Sequence, residues 1–179
     1  VRGPTAALLA AERKILNFMQ RLSGVATHTH EVVAGVRGLT VLDTRKTTPG
    51  FRLLEKYAVR VGGAQNHRRS LSDMVLIKNN HVDAGGGMQR VLTRVYARKA
   101  PAIPVEVEVR TMAELRVAAT FAPEFIMLDN MTTNEMSKAV TYLRRHAPHT
   151  KIEASGGITQ ARIAELVECG VQFVSMGSL

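Results

Sequence analysis

The most constraining feature of this chain is a rhythm. Six short, almost wholly apolar runs (Thr40–Leu42, Met74–Ile77, Val105–Val109, Phe125–Leu128, Lys151–Ala154 and Gln172–Met176) alternate with longer stretches of helical periodicity. Those stretches lie near Phe51–Val61, Gly87–Lys99, Met112–Phe121, Asn134–His146 and Gln160–Glu168. Strand and helix in alternation predict an α/β fold with a parallel sheet, covered on both faces because its strands are apolar nearly throughout. Before the first strand, Thr5 to Arg21 reads as a helix stopped by Gly24, followed by a second helix from about Val25 to Val36. Gly85-Gly86-Gly87 reads as a loop entering a helix rather than a domain boundary.

Almost every strand runs into a polar or glycine-rich group at its carboxyl end: Asp43 and Arg45, Lys78, Asp129 and Asn130, Ser155-Gly156-Gly157, Gly177-Ser178. Barrels and open doubly wound sheets both place ligands at that end. No GxGxxG follows the first strand, so the barrel is the favoured reading.

At 179 residues the chain is one domain's worth. Aromatic residues make up 4% and Trp is absent, which disfavours a base-stacking nucleic-acid platform. The single cysteine, Cys169, excludes an internal disulfide framework and a four-cysteine zinc site. A reducing, cytoplasmic setting is therefore expected, and no run is long and apolar enough for a membrane span. The net charge is +9 and unevenly spread: residues 43–81 carry eight Lys or Arg against three Asp or Glu, residues 105–155 six against seven. A basic region followed by scattered acids suits anionic ligands together with a metal; a solvated basic face would look similar.

Arg45 and Lys46 leave the first strand side by side, a fork and a point charge suited to a carboxylate or phosphate, or to surface ion pairs. Asn66-His67-Arg68-Arg69 and Lys78-Asn79-Asn80-His81 add two basic clusters. Lys78 ends an apolar run, where a partly buried lysine needs an anionic partner. The histidines show no zinc-ligand spacing. In Val105–Val109, Glu106 and Glu108 share parity, so both face one side. In a barrel that side is the lumen, where they need cations such as Lys78, an arginine or Mg²⁺; in an antiparallel edge strand it would be solvent. Asp129 would stand at the same end. Ser155-Gly156-Gly157 and Gly177, at the last two strand ends, can bring backbone N–H groups to an anion. Cys169 falls in a helical pattern and reads as packing.

The segments AERKILNFMQRLSGVAT, LDTRKTTPGFRLLEKYAVRVGG, NHR, IKNNH, EVEV, LDN and ASGGI, in this order from about Ala11 to Leu179, resemble the quinolinate phosphoribosyltransferase family. The resemblance implies an irregular, incomplete TIM-like α/β barrel of the type II phosphoribosyltransferases, a single catalytic domain over 1–179. The family's preceding α/β domain and following segment are expected to be absent from this chain. It implies a pentosyltransferase that joins quinolinate to phosphoribosyl pyrophosphate, with Mg²⁺, giving nicotinate mononucleotide, pyrophosphate and CO₂ in NAD biosynthesis. It assigns Arg45, His67, Arg68 and Lys78 to quinolinate, Lys46 to phosphoribosyl pyrophosphate, Glu108 and Asp129 to the ribose and metal, with Lys78, Glu108 and Asp129 catalytic. It assigns Ser155, Gly156 and Gly177 to phosphate, and Arg13 to a neighbouring subunit's site, which implies a homodimer or larger homo-oligomer. IKNNH replaces the more usual IKDNH, so Asn79 removes a negative charge beside Lys78. A molybdenum-uptake-associated relative acting on another heteroaromatic acid, and a non-enzymatic anion-binding module, are the alternatives. Neither nucleic acid nor membrane is an expected partner.

Overall fold

The computed structural model describes residues 2–179. Its elements are, in order, α1 (Thr5–Val33), β1 (Thr40–Leu42), α2 (Arg52–Val61), β2 (Val75–Ile77), α3 (Asn79–Gly85), α4 (Met88–Tyr96), β3 (Val105–Val109), α5 (Met112–Ala119), β4 (Phe125–Asp129), α6 (Thr133–His146), β5 (Lys151–Ser155), α7 (Ile163–Cys169) and β6 (Phe173–Ser175). A single 3₁₀ turn, Gln160–Arg162, leads into α7. The six strands form one parallel sheet of order β1-β6-β5-β4-β3-β2. That is cyclic order with a single seam between β1 and β2, so the sheet is a rolled barrel left open. A doubly wound sheet would reverse direction from its middle.

Parity divides the strands. Val41, Ile77, Val105, Val107, Val109, Ile126, Leu128, Ile152, Ala154 and Val174 face the helices and belong to one continuous apolar core. It includes fully buried helix residues Leu92, Leu115, Met136, Leu143 and Leu166. The alternate residues face the lumen, and there the sequence changes to Glu106, Glu108, Asp129, Glu153, Ser155 and Ser175.

The first helical region differs from the expectation. Gly24 ends nothing: α1 is one helix of 29 residues running through it. A lone glycine in a helix costs about 1 kcal/mol, which the packing of α1 on α2 offsets. Gly62, just past α2, lies so close to α1 that a Cβ would stand 2.5 Å from the Ala26 carbonyl oxygen. Helix α3 was also not expected; its seven residues contain no long apolar period. Gly86, with φ +83°, closes α3 ahead of α4, as the glycine cluster suggested.

The seam is partly filled. Residues 64–67 run beside β1, with Gln65 N–H donating to the Val41 carbonyl (2.9 Å) and Asp43 N–H to the Gln65 carbonyl (3.0 Å). A buried ion pair fastens this segment. Lys56 Nζ lies 2.5 Å from Asp43 Oδ1, both side chains 5% exposed or less. Asn66 Nδ2 donates to Asp43 Oδ2 (2.7 Å) and His67 N–H to Asp43 Oδ1 (2.8 Å). Removing one member of such a pair leaves a buried uncompensated charge, at a cost of about 3–5 kcal/mol. Asp43→Ala should lower the unfolding free energy by that amount in urea titration, and Asp43→Leu combined with Lys56→Leu should recover much of it. An Asp43→Ala variant as stable as the wild type would contradict the clamp.

Candidate active site

A cavity of about 550 Å³ opens at the carboxyl end of the strands. Arg45, Lys46, His67, Arg68, Lys78, Glu108, Asp129, Ser155 and Gly156 all line it, so nine residues singled out from the sequence converge on one space. Gly177 is not in the lining; it stands beside Lys46 at the rim, where a Cβ would lie 3.7 Å from Lys46 Cδ. Arg13 is exposed on α1 and takes no part in this chain's own cavity.

Local structure explains the placements. Arg45 and Lys46 ride on the loop between β1 and α2, which is tied down by Glu55. Its carboxylate accepts from Arg21 Nη2 (2.8 Å) and from Thr48 N–H (3.0 Å). Burial opposes charge on Glu55, but the Arg21 and Thr48 bonds prevail and hold its pKa below the ordinary value. Lys78 caps α3 at the end of β2, with Nζ 3.6 Å from Glu108 Oε2; Asn79 N–H donates to Glu108 Oε1 (3.3 Å). Lys78 is more exposed than its apolar flank suggested, at 43% of its side chain, whereas Glu108 is nearly buried at 7%. Asp129 and Ser155 are register partners on β4 and β5. Gly156 adopts φ +87°, and a Cβ there would sit 2.2 Å from Asn130 Oδ1. A side chain at 156 would therefore both strain the backbone and push Asn130 out of the pocket wall.

The arginines carry uncompensated positive charge. Burial and the neighbouring Arg45 hold Arg68 below the ordinary arginine value, and the buried Arg45 Nε finds no hydrogen-bond partner among the described residues. Two like charges held together with an idle donor form a surface that anions would neutralise. Opposite them, Glu108 and Asp129 offer carboxylate oxygens, the hard donors Mg²⁺ prefers. The donor set thus fits that ion.

One cluster was only half anticipated. Glu106 lies deeper than Glu108, fully buried, and its partner is His67: Nε2 is 2.9 Å from Glu106 Oε2 and 3.5 Å from Glu153 Oε2. Glu153 went unrecognised in the sequence. Its signal was its parity: it is the one carboxylate of its strand and shares a face with Ser155. Histidine spacing missed the group because its members come from the seam, β3 and β5. Burial opposes a charged His67 ring, but the hydrogen bonding and negative charge of Glu106 and Glu153 raise its pKa to about 9. Burial and Glu153 raise Glu106 while His67 pulls it down. Both net shifts bind protons more tightly than in the unfolded chain.

The folded protein therefore gains stability from this cluster at low pH and loses it as pH rises from the ordinary carboxylate and imidazole values towards about 9. The melting temperature should fall between pH 6 and pH 9 more steeply in the wild type than in Glu106→Gln. Equal slopes would contradict the shared proton.

Comparison with known proteins agrees with this geometry. The family described as "Quinolinate phosphoribosyl transferase, C-terminal domain" matches residues 25–179. The chain is 41% identical over 97% of its length to the probable nicotinate-nucleotide pyrophosphorylase (carboxylating) of Synechocystis sp., and 39% identical over 100% to the Homo sapiens nicotinate-nucleotide pyrophosphorylase (carboxylating). It covers 59% and 62% of those proteins respectively, so it spans about three fifths of their length. A crystal structure of NadC from Streptococcus pyogenes superposes with a TM-score of 0.89 at 42% identity, over 98% of this chain and 61% of that one. With fold, strand-end chemistry and sequence in agreement, the chain belongs to the quinolinate phosphoribosyl transferase family and corresponds to its C-terminal domain.

Proposed function

We propose that this barrel catalyses phosphoribosyl transfer from phosphoribosyl pyrophosphate to quinolinate, with loss of CO₂, giving nicotinate mononucleotide and pyrophosphate. The observation that carries the reading is the paired Arg45 and Arg68 with the unpartnered Arg45 Nε, facing Glu108 and Asp129 across one cavity. A dicarboxylate matches the arginine side. A guanidinium binds two oxygens at once, and Lys78 and His67 add positive charge.

Transfer leaves positive character on the ribose anomeric carbon as the bond to pyrophosphate lengthens. Glu108, fixed by Lys78 and the Asn79 N–H, and Asp129 stabilise that charge from fixed positions, so little reorganisation accompanies the reaction. Mg²⁺, for which Glu108 and Asp129 are the suited donors, neutralises charge on the leaving pyrophosphate when bound. Lys46, Ser155, Gly156 and Gly177 receive phosphate oxygens. With Asn79 after Lys78, no carboxylate directly follows the lysine to draw it away from Glu108 or substrate.

Arg13 completes a neighbouring subunit's pocket in this reading, making a homodimer the minimal active unit. The enzyme works in the cytoplasm. No helix of the described residues is long and apolar enough to cross a membrane.

In the full-length protein, Arg45→Ala and Arg68→Ala should each weaken quinolinate binding by about 1.5–3 kcal/mol in calorimetry, and Arg45→Lys should recover only part. Normal affinity in both alanine variants would overturn the assignment. Glu108→Gln and Asp129→Asn should depress turnover at saturating substrates yet leave quinolinate affinity largely intact. Mixing inactive Arg13→Ala and Lys78→Ala proteins should restore activity through hybrid sites; no recovery despite verified subunit exchange would contradict a shared site.

A further inference from the structure

A second and larger cavity, about 820 Å³, opens at the opposite, amino end of the strands, lined by Pro104, Phe125, Lys151 and Phe173 among others. Only His67 and Arg68 line both cavities. These two residues therefore stand between the cavities, in the seam between β1 and β2 and outside the regular sheet.

A side chain in a seam needs its own anchors. The main chain of His67 is held by the buried ion pair, its N–H donating to Asp43 and its carbonyl accepting from Lys56 Nζ (3.3 Å). The ring has a neighbour at each nitrogen. Nδ1 lies 2.7 Å from the Arg68 main-chain nitrogen, and Nε2 lies 2.9 and 3.5 Å from carboxylate oxygens of Glu106 and Glu153. Both glutamates are buried to 1% exposure or less; both carboxylate oxygens of Glu106 and Oε1 of Glu153 lack any hydrogen-bond partner among the described residues, so the 2.9 Å approach of Glu106 to His67 is an ion-pair contact. Two buried carboxylates kept on so few partners are costly unless the ring they hold is needed in place.

We propose that Glu106 and Glu153 are positioning residues of the anion pocket: by holding His67 Nε2 they fix its ring, and Arg68 beside it, as the closed basic floor that separates the substrate pocket from the amino-end cavity. The inference rests on the quinolinate reading above. A divalent cation is the other occupant that a His–Glu–Glu group suits, and 2.9 and 3.5 Å are plausible separations between ligands of one small ion. The charge of the ring argues against it. Beside two buried carboxylates His67 keeps its proton up to about pH 9, so the ring carries hydrogen on both nitrogens and leaves no lone pair for a metal.

The test uses the full-length protein and the variants Glu106→Leu, Glu153→Leu and Glu153→Gln. Each leucine variant should raise both the Kd and the KM for quinolinate about tenfold, the size expected for a lost charged contact. kcat should stay within about threefold and the affinity for phosphoribosyl pyrophosphate should not change, which shows the rest of the pocket intact. Glu153→Gln keeps an acceptor for Nε2–H and should restore quinolinate affinity to within about threefold of wild type. Glu153→Ala replaces Glu153→Leu if the latter fails to fold. Unchanged quinolinate affinity in folded Glu106→Leu and Glu153→Leu (or Glu153→Ala) overturns the proposal. So does stoichiometric Zn²⁺ or Mn²⁺ binding by the wild type that Glu153→Gln abolishes. A wild type that binds no quinolinate defeats the functional reading instead.

Discussion

The strands of this sheet are buried along most of their length, and side chains alternate between two faces, so every second residue must suit a helix-covered core while its neighbours must suit the lumen. The constraint is strictest in β3, where three valines with zero exposure share five residues with two buried glutamates. Shifting that register by one residue would drive both carboxylates into the apolar layer and empty the lumen of its acids. Much of the site follows from this division. The upper inward layer, Glu108, Asp129 and Ser155, faces the pocket; the layer below, Glu106 and Glu153, faces His67.

The opening between β1 and β2 has its own consequence. A closed barrel would leave no place for residues 64–68, and with them would go two of the basic groups of the pocket. Because the seam supplies few backbone hydrogen bonds, side chains hold that segment: Asp43 and Lys56 at the main chain, Glu106 and Glu153 at the ring. Buried charged pairs are poor sources of net stability but penalise misplacement severely. Such pairs suit a segment whose position matters more than its strength.

Much of this was legible in the sequence, for reasons that differ by element. The strands were, because apolar runs flanked by glycine or carboxylate have few other readings; β1 and β3 fall at the expected residues. That Glu106 and Glu108 share one face followed from parity, and that this face is the lumen followed from the parallel α/β rhythm. The roles suggested for Arg45, Lys78 or Asp129 came from resemblance, and the fold adds that all three line one cavity. What stayed hidden depends on distance across the fold. Glu153 meets His67 only when β5 and the seam face each other in the rolled sheet. Gly24 looked like a stop because local propensity was read without the close α1–α2 packing at Gly62 that overrides it. The buried partner of Asp43 lies thirteen residues on, in a helix whose charged residues read as surface.

The central claim is that the carboxyl-end cavity, and not the larger one at the amino end, takes the dicarboxylate. A crystal structure of the full-length protein with quinolinate tests it most directly. The account predicts the pyridine carboxylates within hydrogen-bonding distance of Arg45 and Arg68, near Lys78, with the His67 ring still on Glu106 and Glu153. Quinolinate seated instead among Arg60, Arg69 and Lys151 at the amino end would contradict it.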